Sequence, residues 1–158
     1  MRNEMDAIVR NMRDLLDGKP WYGRPLFNIL DEIHPAVVFK KPNESAHSLI
    51  DLAYHMITWA SFTLDRLKGI PVNDPDDSEE LNWRQIDPLE HTWARALSEL
   101  RALHEEIIEL LQSKDDAILD KMVESRDYDY RHLLNGLIQH DIYHLGQIAY
   151  VKKWLIVD

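Results

Sequence analysis

The chain has 158 residues, of which 45% are hydrophobic and 29% are charged, a composition typical of a single globular domain over 1–158. Its formal net charge is −10, and an acidic surface repels phosphate backbones and anionic lipid, so we expect no nucleic acid and no membrane as partners. There is no cysteine, which excludes disulfides and protein thiolates, so any thiol chemistry must use a thiol from outside.

The amino-terminal stretch MRNEMDAIVRNMRDLL alternates charged and apolar residues, which is unlike a signal peptide. The sequence also contains no run of about 18 apolar residues that could span a bilayer. We therefore expect a cytoplasmic protein.

Four stretches have apolar residues spaced three and four apart, the spacing that predicts amphipathic helices. The first is expected over residues 3–16, the second over about 45–68 and the last over 130–155. Gly69 and Pro71 should end the second helix. No stretch alternates as a strand does, so the sequence predicts an all-α four-helix bundle.

The third long helix is expected to begin at Asp87, which suits an N-cap. Pro88 would take the first helical position and Glu90 would complete a capping box. Leu89 would then open its apolar stripe, and the stretch QSKDD should end the helix.

Shorter features are predicted between these helices. Pro25 should open a short helix that Pro35 closes, and another short helix should cover 117–123. The acidic stretch PVNDPDDSEE, over 71–80, is expected to be a solvated loop.

Two histidines of the last helix, His140 and His144, lie four residues apart and share a face with Leu137 and Ile148. The whole helix is expected to be buried over most of its circumference. A buried imidazole without a partner costs roughly 1–3 kcal/mol. Either one divalent metal ion takes a lone pair from both rings, or the two histidines are hydrogen-bonded separately in the core.

A metal site needs a further ligand, and His55 is the best candidate because it lies on an apolar face of the second helix. His104, on the apolar stripe of the third helix, is the next candidate. Its alternative role is a core histidine bonded to a carbonyl or carboxylate. Three neutral imidazoles suit zinc or nickel, and they leave a coordination position open, as catalytic sites do.

Other residues could support such a site. Asp51, one turn before His55, could orient that imidazole, or it could be a solvated flank residue. Gln147 could bond a metal-bound water or a ligand ring nitrogen, or it could join two helices by a hydrogen bond. Four aromatic residues could wall a pocket at the bundle mouth, although core packing would explain each one: Trp21, Tyr22, Trp59 and Tyr143.

A di-iron site of the ferritin type is a competing possibility, since it uses Glu-x-x-His pairs. Glu44 and His47 give one such pair, but Asp141 and His144 offer the wrong acid. The sequence therefore disfavours di-iron.

Three segments resemble the DinB-like (damage-inducible) metalloprotein superfamily: LLDGKPWYGRPLFNIL, HSLIDLAYHMITWASFTLDRLKG and LLNGLIQHDIYHLGQIA. The resemblance implies a bundle whose long connections depart from the simplest helix order. It implies a metal held by His55, His140 and His144, and an activity as a metal-dependent hydrolase or a transferase for low-molecular-weight thiols. It also leads us to expect a homodimer.

These observations leave three functional hypotheses. The first is an enzyme whose metal activates water or a small thiol for attack on a small electrophilic substrate. The second is a non-catalytic interaction module that the metal stabilises, for which His104 would complete a closed site. The third is a small-ligand-binding protein that uses the metal as an anchor.

Overall fold

A computed structural model of the protein describes residues 3–71 and 82–155. This part of the chain is all-α, as predicted, and none of its helices combines the length and hydropathy that crossing a membrane requires. Its α-helices are α1 (Asn3–Leu16), α2 (Leu26–Leu30), α3 (Leu49–Lys68), α4 (Trp93–Gln112) and α5 (Tyr130–Leu155). Two 3-10 helices cover Pro35–Val37 and Asp116–Ile118.

The four long helices form a bundle in which α1 and α3 each pack mainly against α4 and α5. The first two long helices, α1 and α3, are therefore diagonal partners, and so are the last two, α4 and α5, whereas α3 and α4 pack directly against each other. In the simplest up-and-down bundle all helices that follow one another are neighbours. The connections over 17–48 and 113–129 are long enough to reach across the bundle. The predicted departure from simple helix order is confirmed.

The most deeply buried helix is α3, in which every residue from Leu52 to Thr58 is buried. Seven consecutive buried residues cover nearly two turns, so α3 is enclosed on all sides. For α5 the sequence predicted burial over most of the circumference. Most residues of α5 are buried or partly buried, and one stripe is exposed, on which Tyr143, Tyr150 and Trp154 are each at least 60% accessible.

The beginning of α3 differs from the predicted one. The helix starts at Leu49, with Ser48 as its N-cap and Asp51 completing a capping box. The Ser48 hydroxyl accepts from the Asp51 backbone N–H at 3.3 Å, and the Asp51 carboxylate accepts from the Ser48 backbone N–H at 2.9 Å. The predicted end is confirmed, because Gly69 adopts the left-handed conformation (φ 69°) that favours glycine.

The predicted start of α4 is also wrong. The N-cap is Thr92, whose hydroxyl accepts from the Arg95 backbone N–H, and the helix begins at Trp93. Asp87 instead accepts from the backbone N–H of Leu89 at 2.9 Å, which closes a local turn. Leu89 is consequently 91% exposed and is not part of the stripe.

The short connecting elements agree in part with the sequence. The helix expected after Pro25 is α2. In place of the helix expected over 117–123 there is only the 3-10 turn Asp116–Ile118. The Asp116 carboxylate in this turn accepts from the Met5 backbone N–H, which ties the turn to the start of α1. The predicted acidic loop lies outside the described residues except for Pro71.

We predict that Ser48→Ala lowers the free energy of unfolding by about 1 kcal/mol, because it removes the N-cap acceptor of α3. Thermal unfolding should detect this as a decrease of roughly 2–4 °C in Tm. The matched control is Ser45→Ala. Ser45 is exposed and its hydroxyl donates only to Asn43 within a turn, so its loss should cost less than about 0.5 kcal/mol. Equal losses in the two variants would contradict Ser48 as the cap.

Candidate metal centre

Helices α3 and α5 bring together the three histidines that the sequence singled out. His55 and His144 are buried, at 7% and 5% exposure, and His140 is partly buried. The Nε2 atoms of His55 and His140 lie 2.9 Å apart. One ring nitrogen from each of the three histidines lies within 4.8 Å of the others.

The outer nitrogen of each ring faces an oxygen atom. His55 Nδ1 donates to the Asn82 carbonyl at 2.9 Å, and His144 Nδ1 donates to Gln147 Oε1 at 2.6 Å. His140 Nδ1 lies 3.5 Å from Asp141 Oδ1. Because the oxygens of Asn82 and Gln147 accept a hydrogen bond from Nδ1, His55 and His144 keep a lone pair on Nε2, and the His55 Nε2 lone pair faces His140 Nε2.

Burial keeps two of these rings neutral. It lowers the pKa of His55, and the nearby His140 lowers it further against the opposing hydrogen bond to Asn82. Burial and then the charge of His140 lower the pKa of His144 to about 4. At neutral pH both rings therefore carry the lone pair that a metal ion needs.

The cluster geometry fits a divalent ion. Zinc–nitrogen bonds of 2.0–2.1 Å place tetrahedral ligand nitrogens about 3.3 Å apart. The observed separations, from 2.9 Å to at most 4.8 Å, bracket that value. Hydrogen bonds from the outer nitrogens to oxygen acceptors are also the usual support of histidine ligands.

A short segment covers the cluster from outside. The Trp83 ring stacks on His55 at 3.9 Å, and His47 stacks on the other side of Trp83 at 3.6 Å. The Asn82 side chain accepts from Trp59 Nε1 at 2.9 Å, which fixes the carbonyl that His55 uses. Asn82 and Trp83 were not predicted from the sequence, because a polar loop has no periodicity. The tryptophan within the loop was the available signal.

His104 belongs to a different arrangement from the one considered for it as a ligand. Its Nε2 lies 2.7 Å from Asp141 Oδ2 and its Nδ1 lies 2.9 Å from the Leu100 carbonyl, and both side chains are fully buried. Its alternative role, a histidine bonded to a carbonyl or carboxylate, is the observed one. Both nitrogens are used, so neither is directed at the cluster.

His104 and Asp141 form a buried ion pair. Burial lowers the pKa of His104, but the Asp141 charge and the hydrogen bonds to Asp141 and Leu100 together outweigh burial and raise that pKa. Burial raises the pKa of Asp141, but the charges of and hydrogen bonds to His104 and His140 together outweigh burial and lower that pKa. Since Asp141 Oδ1 also faces His140, the pair links the core of α4 to the cluster. From the sequence, Asp141 was considered only as an aspartate in the place where a di-iron site needs a glutamate.

Two of the supporting roles are contradicted. Asp51 does not orient His55, because the Asp51 carboxylate caps α3 and the Asn82 carbonyl accepts the hydrogen bond from His55. Trp21 is 100% exposed, so it walls no pocket within the described residues. The di-iron alternative also fails in its pairing, because Glu44 is exposed and precedes α3.

Of the other supporting candidates, Gln147, Tyr143 and Trp59 lie at or near the cluster, and Tyr22 does not. Gln147 bonds the ring of His144, and its amide donates to the Tyr143 hydroxyl at 3.4 Å. Trp59 meets the His140 ring edge-on at 6.2 Å. Tyr22 lines a separate groove with Ile142 and Leu145.

Fold and site together define a helical bundle with a buried three-histidine cluster that is compatible with a metal ion. The family model of the DinB superfamily matches residues 24–148, a range that includes all three histidines. The chain belongs to the DinB superfamily. Comparison with curated proteins found no match.

We predict that His104→Leu lowers the free energy of unfolding by about 3–5 kcal/mol, because it leaves Asp141 charged and unpaired in the core. The double variant His104→Leu/Asp141→Leu should be more stable than the single one, since no charge remains buried. Urea denaturation measures both. Glu106→Gln, which breaks the exposed Lys68–Glu106 pair, is the control and should cost at most about 1 kcal/mol. A similarly small loss in His104→Leu would contradict a buried ion pair.

We predict that the metal-free protein loses stability as the pH falls from about 6.5 to about 4. The folded-state pKa of His144 lies below its ordinary value, so the unfolded chain binds the additional proton in this range. His144 should contribute as much as ~3 kcal/mol to the loss. Urea denaturation at several pH values, with a chelator present, should give a shallower decline for His144→Gln. The same decline in both proteins would contradict the lowered pKa.

Proposed function

We propose that this member of the DinB superfamily is a metal-dependent enzyme acting on a small electrophilic substrate. His55, His140 and His144 hold one divalent ion, zinc or nickel, and water or a low-molecular-weight thiol is the nucleophile. The observation that carries the proposal is the convergence of Nε2 atoms from rings whose outer nitrogens face oxygen acceptors. When bound, such an ion lowers the pKa of a coordinated water or thiol.

The donor set supports zinc or nickel. All three ligands are imidazole nitrogens, which suit borderline ions better than they suit calcium or magnesium. Three protein ligands leave a position for a reactant, and closed structural sites use four. The engagement of His104 with Asp141 supports an open site, because His104 was the candidate for a fourth ligand.

The residues of the chain would orient the ligands and keep water out. Asn82 and Gln147 hold the protons of His55 and His144 on the outer nitrogens. Trp83 covers one face of His55. In thiol transfer, the thiol releases its proton to solvent, sulfur bonds to the electrophilic carbon, and the leaving group departs with its electron pair. In hydrolysis, water replaces the thiol.

The proposal predicts about one zinc or nickel ion per chain in untagged protein that has never been exposed to a nickel column. Mass spectrometry of the metal content tests this. His144→Ala should lose the ion, whereas the control His34→Ala should keep it, because His34 is exposed and only caps a 3-10 turn. The loaded protein should then turn over 1-chloro-2,4-dinitrobenzene with glutathione, cysteine or 2-mercaptoethanol, or hydrolyse 4-nitrophenyl acetate without a thiol.

The outcomes separate the hypotheses. Loss of both metal and turnover in His144→Ala supports the enzyme. A full metal complement in His144→Ala would show that the ligands are elsewhere. Bound metal with no turnover of any pair would contradict catalysis on these substrate types and favour a non-catalytic role.

A further inference from the structure

A cleft with a volume of about 250 Å³ lies between α3 and α5, directly beside the histidine cluster. Eight residues line it: Trp59 and Thr63 of α3, Tyr128, and His132, Leu133, Gly136, Leu137 and His140 of α5. His140 therefore has two roles in the geometry: its ring forms a wall of the cleft, and its Nε2 faces His55. A group bound in the cleft lies next to the position proposed for the metal ion.

The walls of the cleft present mainly apolar surface to a ligand. Leu133 and Leu137 are apolar, and the polar groups of the α3 wall are already engaged. The Trp59 Nε1–H donates to Asn82, and the Thr63 hydroxyl donates to the Trp59 carbonyl at 2.9 Å. The face of the cleft on α3 thus favours an apolar or aromatic group over one that needs hydrogen bonds.

We infer that this cleft binds the apolar part of the electrophilic substrate, an aryl ring or a short branched alkyl group attached close to the carbon that reacts. The inference rests on the proposed function, since it names the substrate class of that site. The volume sets the size of the group. A dry apolar cavity of about 150 Å³ holds benzene. The cleft volume of about 250 Å³ therefore suits a substituted ring and is too small for two separate ring systems.

Gly136 leaves room for this group. It lies on the cleft wall one turn before His140, and a Cβ built on it meets no atom within 4 Å. A Cβ at residue 136 therefore meets open space, and a larger side chain there would extend into the cleft. Gly146 is a matched control on the same helix: a Cβ there also meets nothing within 4 Å, but Gly146 lines the separate groove with Tyr22.

The test compares two ligands that share one chelating head. Acetohydroxamate and benzohydroxamate both bind divalent metal, and only the second carries a ring. Isothermal titration of the zinc-loaded protein should give a Kd about tenfold lower for benzohydroxamate, because the ring is buried in the cleft. Gly136→Leu should reduce this preference to within about twofold without weakening acetohydroxamate. Gly146→Leu should retain it.

Equal affinity for the two hydroxamates would overturn the inference while the metal site stood, because acetohydroxamate reports on the metal alone. A preference lost in Gly146→Leu but kept in Gly136→Leu would also overturn it. If Gly136→Leu does not fold, Gly136→Ala takes its place and should give an intermediate preference.

A second measurement needs no metal and separates this inference from the proposed function. The chain has only five glycines, so protein labelled with ¹⁵N-glycine gives few amide signals. Benzyl alcohol should shift the Gly136 signal, and Gly136→Ala should weaken the binding. If the protein binds no metal, the proposed function fails, and a Gly136 shift still supports the cleft. No shift at Gly136 would overturn the inference.

Discussion

Three imidazoles between α3 and α5 impose the main constraint on this structure, because a buried polar ring needs a partner for each nitrogen. The outer nitrogens obtain partners from three places: a loop carbonyl at Asn82, a side chain one turn on at Gln147, and the buried Asp141. With the His55 proton outside, its Nε2 lone pair faces His140 Nε2 at 2.9 Å, a separation that requires either a shared proton or a cation. The surroundings of the rings are therefore as informative as the rings.

The fold was largely predictable, and the reason lies in repetition. Apolar spacing continues over many residues, so α1 and α5 have the expected bounds. Helix starts depend on single residues: the expected starts were at about Ser45 and at Asp87, and the observed N-caps are Ser48 and Thr92. Local signals rate these residues almost equally. Tertiary contacts decide, as in the burial of Ser48 and the turn at Asp87.

The site was predictable only where it follows helical geometry. His140 and His144 share a face by spacing, and His55 shares an apolar face of α3, so these three were named in advance. Asn82 and Trp83 come from a loop, and no rule connects a loop residue with a ring 27 positions earlier. For Asp51 the sequence left two roles open, orienting His55 or a solvated flank position, and it did not indicate the capping box that engages the Asp51 carboxylate.

The two inner nitrogens at 2.9 Å belong to residues 85 positions apart, in a chain without cysteine. An ion shared by His55 and His140 would therefore act as a reversible cross-link that closes more than half of the chain into a ring. Closing a loop of this length restricts the unfolded chain by roughly 4–5 kcal/mol in the chain-entropy description of disulfides. The availability of the metal would then determine how resistant the protein is to proteolysis.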